Sequence, residues 1–528
     1  MRKKFNDTGL CIPGRHYMVD TSEKIGQIIE LVEEGEYFTI SRPRQFGKTT
    51  ILSLLAKQLN ERDDYVALKI TFEEIDPDSY GKQEHFICEV LLMILARLEF
   101  LNLTEPASFL EQQIEQITTI PALSRFITKF VRDMLPGKSL VLLIDEVDKS
   151  SNNPLFLTFL GMLRNKYLQR NEGQDHTFHS VILAGVHDIK TLKAGIRPDE
   201  DTKYNSPWNI AMDFEVDLSF SPREIRTMLR DYSEEKGIVP DIPAIAEKLY
   251  HYTSGYPYLV SKLCKFADEK IVPRREEKNW SVADTEDAFR MLVDGGYTTT
   301  LFDSLGKNLE NNPELYELVF QIVINGKRFP FIITDPMISL GHLYGILVRS
   351  EQGHCRIHNR IFEQRIYDYM MSKFMRKQYH EVNGFGGPEF HTPEGLDVTL
   401  ILRRFQAFMK EHYSGRDKKF LEREGRLLFL SYLRPIINGK GFDFKEPHVG
   451  DERRMDIVIT CRTQRYVIEL KRWYGAKYHQ KGLEQLSDYL DIYSLKEGYL
   501  LIYDFNKNKA YKEENIPFRD KEIFAVWV

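Results

Sequence analysis

The sequence predicts an α/β protein with two sheet-bearing parts separated by helices. Three features carry that expectation. Residues 36–220 alternate short apolar runs with long helical patterns, the signature of a mostly parallel sheet flanked by helices. Residues 221–370 are mainly helical and close on a helix–hairpin–helix pattern, as in a winged helix. Beyond a polar stretch rich in glycine and proline, two runs dense in Val and Ile read as paired strands of a second, smaller α/β domain. At 528 residues the chain exceeds one ordinary core, so several domains are expected.

Candidate strands of the first part are Tyr37–Ser41, Val66–Phe72, Leu140–Ile144, Val181–Gly185 and Phe214–Leu218. Helical patterns such as Thr49–Arg62 and His85–Phe100 separate them. The winged-helix pattern lies near Leu340–Ile361, with Ile346-Leu-Val, a turn at Glu351-Gln-Gly353 and then Cys355-Arg-Ile. Gly384, Gly386-Gly387-Pro388, Pro393 and Gly395 then interrupt any period. The expected organisation is an α/β domain at 1–220, a helical lid at 221–295, a winged-helix-like domain at 296–371, a linker at 372–397 and the second α/β domain at 398–528. No internal repeat is evident.

Hydrophobic content of 42% and charged content of 28% are those of a soluble globular chain. A net charge of −6 excludes a protein that coats nucleic acid along its whole length. Basic residues are nevertheless interspersed through the last third, among them Arg403-Arg404, Arg416, Lys418-Lys419, Arg453-Arg454, Lys477 and Lys481. They form either a phosphate-binding face or an ordinary charged surface. Cys11, Cys88, Cys264, Cys355 and Cys461 are odd in number and far apart, which argues against a disulfide framework and a cysteine zinc site. No apolar core follows Met1-Arg-Lys-Lys4 and no run approaches a membrane span, so a reducing cytoplasm and no membrane partner are expected.

The first candidate site follows the first strand. Arg44-Gln45-Phe46-Gly47-Lys48-Thr49-Thr50 opens a helix as a P-loop does, although Arg42 stands where the usual motif begins with glycine. Such a loop folds backbone N–H groups round phosphates, brings a lysine to the β- and γ-oxygens and sets a hydroxyl on magnesium. Gly-Lys-Thr alone is common by chance. The partner motif decides the matter. Leu140-Val-Leu-Leu-Ile-Asp145-Glu146 is an apolar strand ending in two acids, and in a parallel sheet that end lies beside the phosphates. Asp145 suits magnesium, held through water, and Glu146 suits the attacking water. A strand candidate lies between the two motifs, as in ATPases that carry a catalytic glutamate. His187, after the strand Val181–Gly185, fits either a γ-phosphate sensor or a loop cap. Arg44, Arg164 and Arg197 could each supply charge to a γ-phosphate, from the same chain or a neighbour in a homo-oligomer, or serve as surface residues.

The second candidate site lies near the C-terminus. Arg-Met-Asp456-Ile-Val-Ile-Thr460 and Tyr-Val-Ile-Glu469-Leu470-Lys471 read as strands joined by the polar run Cys461-Arg-Thr-Gln464. If that run is a four-residue loop, residue 460 faces 465 and Asp456 faces Glu469. Lys471, two residues beyond Glu469, shares its face. Two carboxylates and an ammonium are what a magnesium-dependent phosphodiesterase needs. Gln485 and Tyr489 are four apart on a downstream helical pattern and so share one helical face.

This second pattern resembles the PD-(D/E)XK nuclease superfamily, a restriction-endonuclease-like α/β fold. Glu424, in the helical run Phe420-Leu-Glu-Arg-Glu424-Gly, stands in the place of that family's helix-borne acid. Gln485 and Tyr489 look like the Gln-x-x-x-Tyr helix of its RecB-like branch. Met455 replaces the literal proline. The resemblance implies Asp456, Glu469 and the Leu470 carbonyl as magnesium ligands and Lys471 as the group beside the attacked phosphate. It implies Glu424 as support to the metal, and Gln485 and Tyr489 as positioning groups. Trp473, Tyr474 and Tyr478 suit either base stacking or core packing.

The first part is similar to the AAA-ATPase-like family, whose members resemble archaeal and STAND-type P-loop ATPases and often carry a C-terminal PD-(D/E)XK domain. His16-Tyr17-Met-Val-Asp20, Ser41-Arg-Pro-Arg-Gln-Phe-Gly-Lys-Thr49 and Ser206-Pro-Trp-Asn-Ile210 carry the likeness, with Gln45 where many members have arginine. Thr253-Ser-Gly255-Tyr-Pro257 is similar to a turn that lies over the nucleotide, which adds Pro257 to the binding residues. The resemblance implies an ATPase using ATP and Mg2+ that controls a nuclease, acting on DNA more than RNA. A role in anti-phage defence follows by analogy alone. Two other readings stay open: a nucleotide-dependent switch whose last domain only binds a partner, and an ATPase that translocates on DNA.

Overall fold

The computed structural model describes residues 2–150, 153–186, 208, 210–212, 214–276, 278–293, 297–324, 327–377, 388–412, 418–437, 441–444, 457–461, 464–473, 475–505 and 510–528. The chain divides into two compact units, Met1–Leu305 with Ile332–Val348, and Gly306–Phe331 with Arg349–Val528.

The first unit is built on β1 (Tyr37–Ser41), β2 (Tyr65–Thr71), β3 (Ser139–Asp145) and β4 (Ser180–Gly185). They form one sheet in the order β1-β4-β3-β2, with every neighbour parallel. β3 and β4 are buried nearly throughout, as expected when helices cover both faces of a parallel sheet. β4 lies between β1 and β3, so the loop after β1 and the acidic end of β3 flank its tip. Ser41 pairs with Gly185, and Ile144 with Leu183. The core on one face joins Leu68, Leu142 and Leu183 to Phe72, Phe86 and Phe159.

Phe214–Leu218 is not a strand. A single bridge joins Phe38 to Met212, where Met212 N–H donates to the Tyr37 carbonyl at 2.8 Å. Beyond it, side chains replace the ladder. Phe214 stacks on Phe38 with centroids 5.7 Å apart, and Arg42 Nη2 donates to the Val216 carbonyl at 2.9 Å.

Helices Pro222–Lys236, Ile242–Thr253, Pro257–Phe266 and Val282–Val293 follow. Ser221 and Glu224 form a reciprocal capping box that fixes the first of them. Gly255 sits at φ +72°, and a Cβ there would fall 2.2 Å from the Phe220 carbonyl oxygen. Only glycine permits that approach, which sets the helix Pro257–Phe266 in place. The expected helix, hairpin and helix near Leu340–Ile361 appear in order as helix Pro336–Leu343, β5 (Leu347–Arg349), β6 (Cys355–Ile357) and helix Arg360–Lys377.

The second unit carries a six-stranded mixed sheet of β7 (Gly441–Phe444), β8 (Ile457–Cys461), β9 (Gln464–Arg472), β10 (Glu497–Tyr503), β11 (Glu513–Phe518) and β12 (Lys521–Trp527), in the order β11-β12-β10-β9-β8-β7. β8 and β9 form an antiparallel hairpin, and β9 and β10 are parallel. A parallel pair needs a crossover, and helix Ala476–Ile492 supplies it. Its Leu486 and Leu490 pack on Val458, Val467, Leu500 and Ile502. Among the described residues, no helix is long and apolar enough to cross a membrane.

Candidate functional site

The loop from β1 into helix Lys48–Asn60 turns through two left-handed residues, Gln45 at φ 58° and Gly47 at φ 82°. The side chain of Lys48 folds back inside it. Lys48 Nζ donates to the carbonyls of Arg42 and Pro43, both at 3.0 Å. Burial pushes its ammonium pKa below the usual value, while Glu146, Asp148 and Asp145 oppose that shift. Arg42 leaves the loop altogether. Its guanidinium bonds the Ser41 and Val216 carbonyls and lies 5.3 Å over the Phe214 ring. The usual glycine is therefore replaced by a residue that fastens the neighbouring segment. Tyr256 donates its hydroxyl to the Arg44 carbonyl, and its ring meets Phe46 edge-on at 4.8 Å.

At the end of β3 the chain turns sharply. Glu146 adopts φ 54°, a region costly for a residue with a Cβ, and such strain concentrates at functional positions. Asp145 is buried, and its carboxylate accepts the Glu146 N–H at 3.1 Å. Burial raises the Glu146 pKa, with Lys48 acting against it and Asp145 and Asp148 adding to it. Asp148 Oδ2 accepts the Val186 N–H at 2.6 Å, tying this turn to the tip of β4.

These parts surround a cavity of about 490 Å3, within the range of small-molecule sites. Arg44 through Ile51, Glu73, Glu146 and Asp148 line one side, and Pro257, Tyr258 and Ser261 line another. Asn6 to Gly9, Cys11, Tyr17 to Val19 and Thr300 complete it. Pro257 lies at the loop, its Cβ 4.0 Å from where a Cβ on Gly47 would be. The expected residues Arg44, Gln45, Phe46, Gly47, Lys48, Thr49, Thr50, Glu146 and Pro257 are thus brought together. Asp145 is behind this wall rather than in it. Sequence reasoning missed Glu73 and Asp148, although Asp148 sits three residues past Asp145 on the same turn. It also missed the N-terminal segment and Thr300, whose side chain accepts a hydrogen bond from Gln45 Nε2 at 3.1 Å. No local motif marks those. His187 and Arg197 lie outside the described residues, and Arg164 does not line the cavity.

In the second unit, β8 and β9 pair as Thr460↔Arg465 through Ile457↔Ile468. That is the expected register, described to within one pair of Glu469. Asp456 itself lies outside the described residues. Cys461 pairs with Gln464, so the connection is shorter than the four-residue loop expected, at unchanged register. Glu469 is fully buried, with Lys471 Nζ 2.7 Å from its Oε1. Among the described residues, Lys471 is the one cation at bonding distance from this carboxylate, and the contact is close rather than well directed. Burial pushes the Glu469 pKa up, opposed by Lys471 and Arg426. Lys471 Nζ also donates to Gln485 Oε1 at 2.9 Å, and Gln485 Nε2 donates to Tyr489 Oη at 2.9 Å. The four residues read in sequence as one pattern are one connected array. Glu424 falls on helix Lys418–Ile437, and its side chain lies outside the described part. Trp473 packs against the core beside Trp527 and His479, while Tyr474 and the side chain of Tyr478 lie outside the described part.

A family model described as the AAA-like domain matches residues 15–352. The chain belongs to this family. The AAA-like domain takes in the P-loop, the Asp145-Glu146 strand, the lid helices and β5, and ends before β6. The chain is 20% identical over 264 residues, 50% of its length, to an uncharacterized WD repeat-containing protein of Synechocystis sp., and it spans 21% of that protein. Solved structures similar to it include the Walker-type ATPase PABY2304 of Pyrococcus abyssi, at 14% identity with a TM-score of 0.46, covering 69% of this chain and 98% of that one. The Aeropyrum pernix ORC2 protein, in ADPNP–ADP complexes, is 11% identical with a TM-score of 0.40, covering 67% and 93%. The Thermotoga maritima RuvB Holliday junction branch migration motor is 12% identical with a TM-score of 0.30, covering 67% and 95%.

Proposed function

We propose that this AAA-like protein binds and hydrolyses ATP with Mg2+, and that its nucleotide state controls a magnesium-dependent nucleic-acid phosphodiesterase in residues 398–528. The observation that carries the reading is the pair of arrays just described: a cavity that gathers the P-loop and Glu146, and a buried Glu469 joined to Lys471, Gln485 and Tyr489.

In the cavity, Gly47 to Thr50 present backbone N–H groups and Lys48 an ammonium to a triphosphate. Phosphate oxygens would draw Lys48 from the two carbonyls that hold it. Thr49 and Asp145 are the residues that would hold magnesium, Asp145 through water, and Glu146 orients the attacking water. The raised Glu146 pKa suits a proton acceptor.

In the second unit, the carboxylate of Glu469 is fully buried beside the Lys471 ammonium, a setting that fits a cation ligand. Asp456, Glu469 and the Leu470 carbonyl would hold magnesium, with Glu424 supporting them. Bound there, the ion would polarise the phosphodiester and lower the pKa of water. Lys471 stabilises the negative charge on the phosphoryl oxygens in the transition state, and Gln485 holds Lys471 at its post. DNA is the preferred substrate class over RNA, by resemblance. A homo-oligomer and a defence role belong to the same proposal.

The test is cleavage of linear and circular DNA by the full chain with magnesium, with and without ATP, beside Lys471→Ala and Lys48→Ala. Loss of cutting in Lys471→Ala supports the nuclease, and Lys48→Ala reports whether nucleotide gates it. If wild type cuts no DNA or RNA in any nucleotide state, the reading as a binding switch replaces it.

A further inference from the structure

The N-terminal segment forms a wall of the nucleotide cavity, and most of it precedes the residues matched by the family. Asn6, Asp7, Thr8, Gly9 and Cys11 line the cavity together with the P-loop. The segment is held on two sides. Toward the P-loop helix, Cys11 N–H donates to Thr50 Oγ1 at 3.2 Å. Toward the lid, Asp7 Oδ2 lies 2.7 Å from Lys262 Nζ and Asp7 Oδ1 lies 2.6 Å from Lys265 Nζ, so one carboxylate bridges two lysines of helix Pro257–Phe266. Ser261, on the same helix, donates its hydroxyl to the Asn6 carbonyl. Before the strap, Phe5 is buried among Tyr17, Tyr232 and Trp280 and anchors it. After Asp7 the chain changes character. Gly9 and Gly14 have φ of +40° and +81°, and nothing lies within 4 Å of a Cβ at either. Both positions permit backbone rotation that a side chain would restrict.

We propose that residues 7–14 are a strap that latches the nucleotide cavity, with Asp7 clasped by Lys262 and Lys265 as the catch. The inference rests on the reading of the cavity as a nucleotide site. The catch spans the wall formed by the N-terminal segment and the wall formed by the lid. On the P-loop side the segment is held by the Cys11–Thr50 bond, and within itself by the Asn6 amide on the Thr8 and Leu10 carbonyls. Opening from the lid needs both ion pairs to separate. The lysines do not line the cavity, whereas Asp7, which they clasp, does. Asp7, Lys262 and Lys265 are each at least partly shielded, with side chains 11%, 16% and 26% exposed. They are near enough to solvent for salt to weaken them.

The test is the release rate of a fluorescent ATP analogue from the full chain with magnesium, by stopped flow. It is read in wild type, in the double variant Lys262→Gln/Lys265→Gln and in the conservative Lys262→Arg/Lys265→Arg, each at low and high salt. The strap predicts release roughly fivefold to tenfold faster in the glutamine variant, as two partly shielded ion pairs are lost. It predicts that high salt speeds release from wild type and not from the glutamine variant, and that arginine restores slow release. Equal, salt-independent release from wild type and the glutamine variant overturns the strap. Failure of wild type to bind the analogue at all overturns the nucleotide reading instead.

Discussion

Each candidate site is centred on a lysine, and the two lysines are neutralised in opposite ways. Lys48 is buried in the P-loop with its ammonium on two backbone carbonyls, Arg42 and Pro43. Lys471 is half-buried and lies against a fully buried carboxylate, Glu469. The first ammonium is held by neutral dipoles with the Glu146, Asp148 and Asp145 carboxylates near it, so an incoming anion can take it at little cost to the fold. The second compensates a charge the protein has already buried. On the proposed reading, one lysine is kept for a ligand, while the other serves both chemistry and folding. Substitutions that separate those demands test the contrast.

The largest effect is expected at Lys471. Lys471→Ala should reduce phosphodiester cleavage by about a thousandfold, the scale of removing one group that stabilises developing charge. It should also destabilise the second unit by about 3 kcal/mol, because Glu469 is left buried and uncompensated. Adding Glu469→Gln removes that charge, so the double variant should recover much of the stability and none of the activity. Urea unfolding together with a cleavage assay separates the two. If Lys471→Ala is as stable as wild type, the pair does not act as described.

Glu146 comes next. Glu146→Gln should lower ATP hydrolysis by about a hundredfold while leaving nucleotide affinity nearly unchanged, as for loss of one proton-accepting group. The wild-type rate needs the ionised carboxylate. Burial raises its pKa above the ordinary 4.5, so the acid limb of the rate profile should lie at a pH above that value. Activity is then present above the raised pKa and lost as pH falls through it. A limb at or below the ordinary value would remove Glu146 from the role.

Much of this contrast was legible in the sequence, for physical reasons specific to each place. The P-loop and Asp145-Glu146 are contiguous motifs whose meeting follows from parallel strands in one sheet. The pairing of β8 with β9 followed from counting residues across a hairpin, which is why it survived a change in loop length. Phe214–Leu218 misled because its apolar pattern suits a strand, whereas Phe38 and Arg42 hold it by ring stacking and side-chain bonds. The N-terminal wall and Thr300 were invisible, since they reach the cavity over long stretches of chain through isolated polar contacts. Asp148 could have been found from its place on the same turn as Asp145. The φ of Glu146 could not, as nothing in Asp-Glu-Val-Asp requires a left-handed glutamate.

Lys48→Ala should weaken ATP binding by roughly thirtyfold to a hundredfold, the worth of the charged hydrogen bonds a phosphate would make. Its effect on stability should be small beside that of Lys471→Ala, because it frees two backbone carbonyls, those of Arg42 and Pro43, rather than a buried charge. Isothermal titration and thermal unfolding of the same sample give both numbers. A stability loss equal to that of Lys471→Ala would erase the distinction between the two lysines.

The smallest effect tests how far the second array extends. Tyr489 reaches Lys471 through Gln485, whose Nε2 donates to the tyrosine hydroxyl at 2.9 Å. Tyr489→Phe keeps the buried ring and removes the hydroxyl that accepts from Gln485, so the cost to stability should be about 1 kcal/mol or more. The amide of Gln485 would then be free to rotate, and its carbonyl would no longer be fixed toward Lys471. If Gln485 acts by orienting the ammonium, cleavage should fall severalfold with little change in substrate affinity, because the loss lies in the transition state. If Gln485 instead contacts substrate directly, affinity should fall and the maximal rate should hold. Steady-state cleavage by Tyr489→Phe and Gln485→Leu, fitted for both constants, decides whether the relay serves the lysine or the nucleic acid.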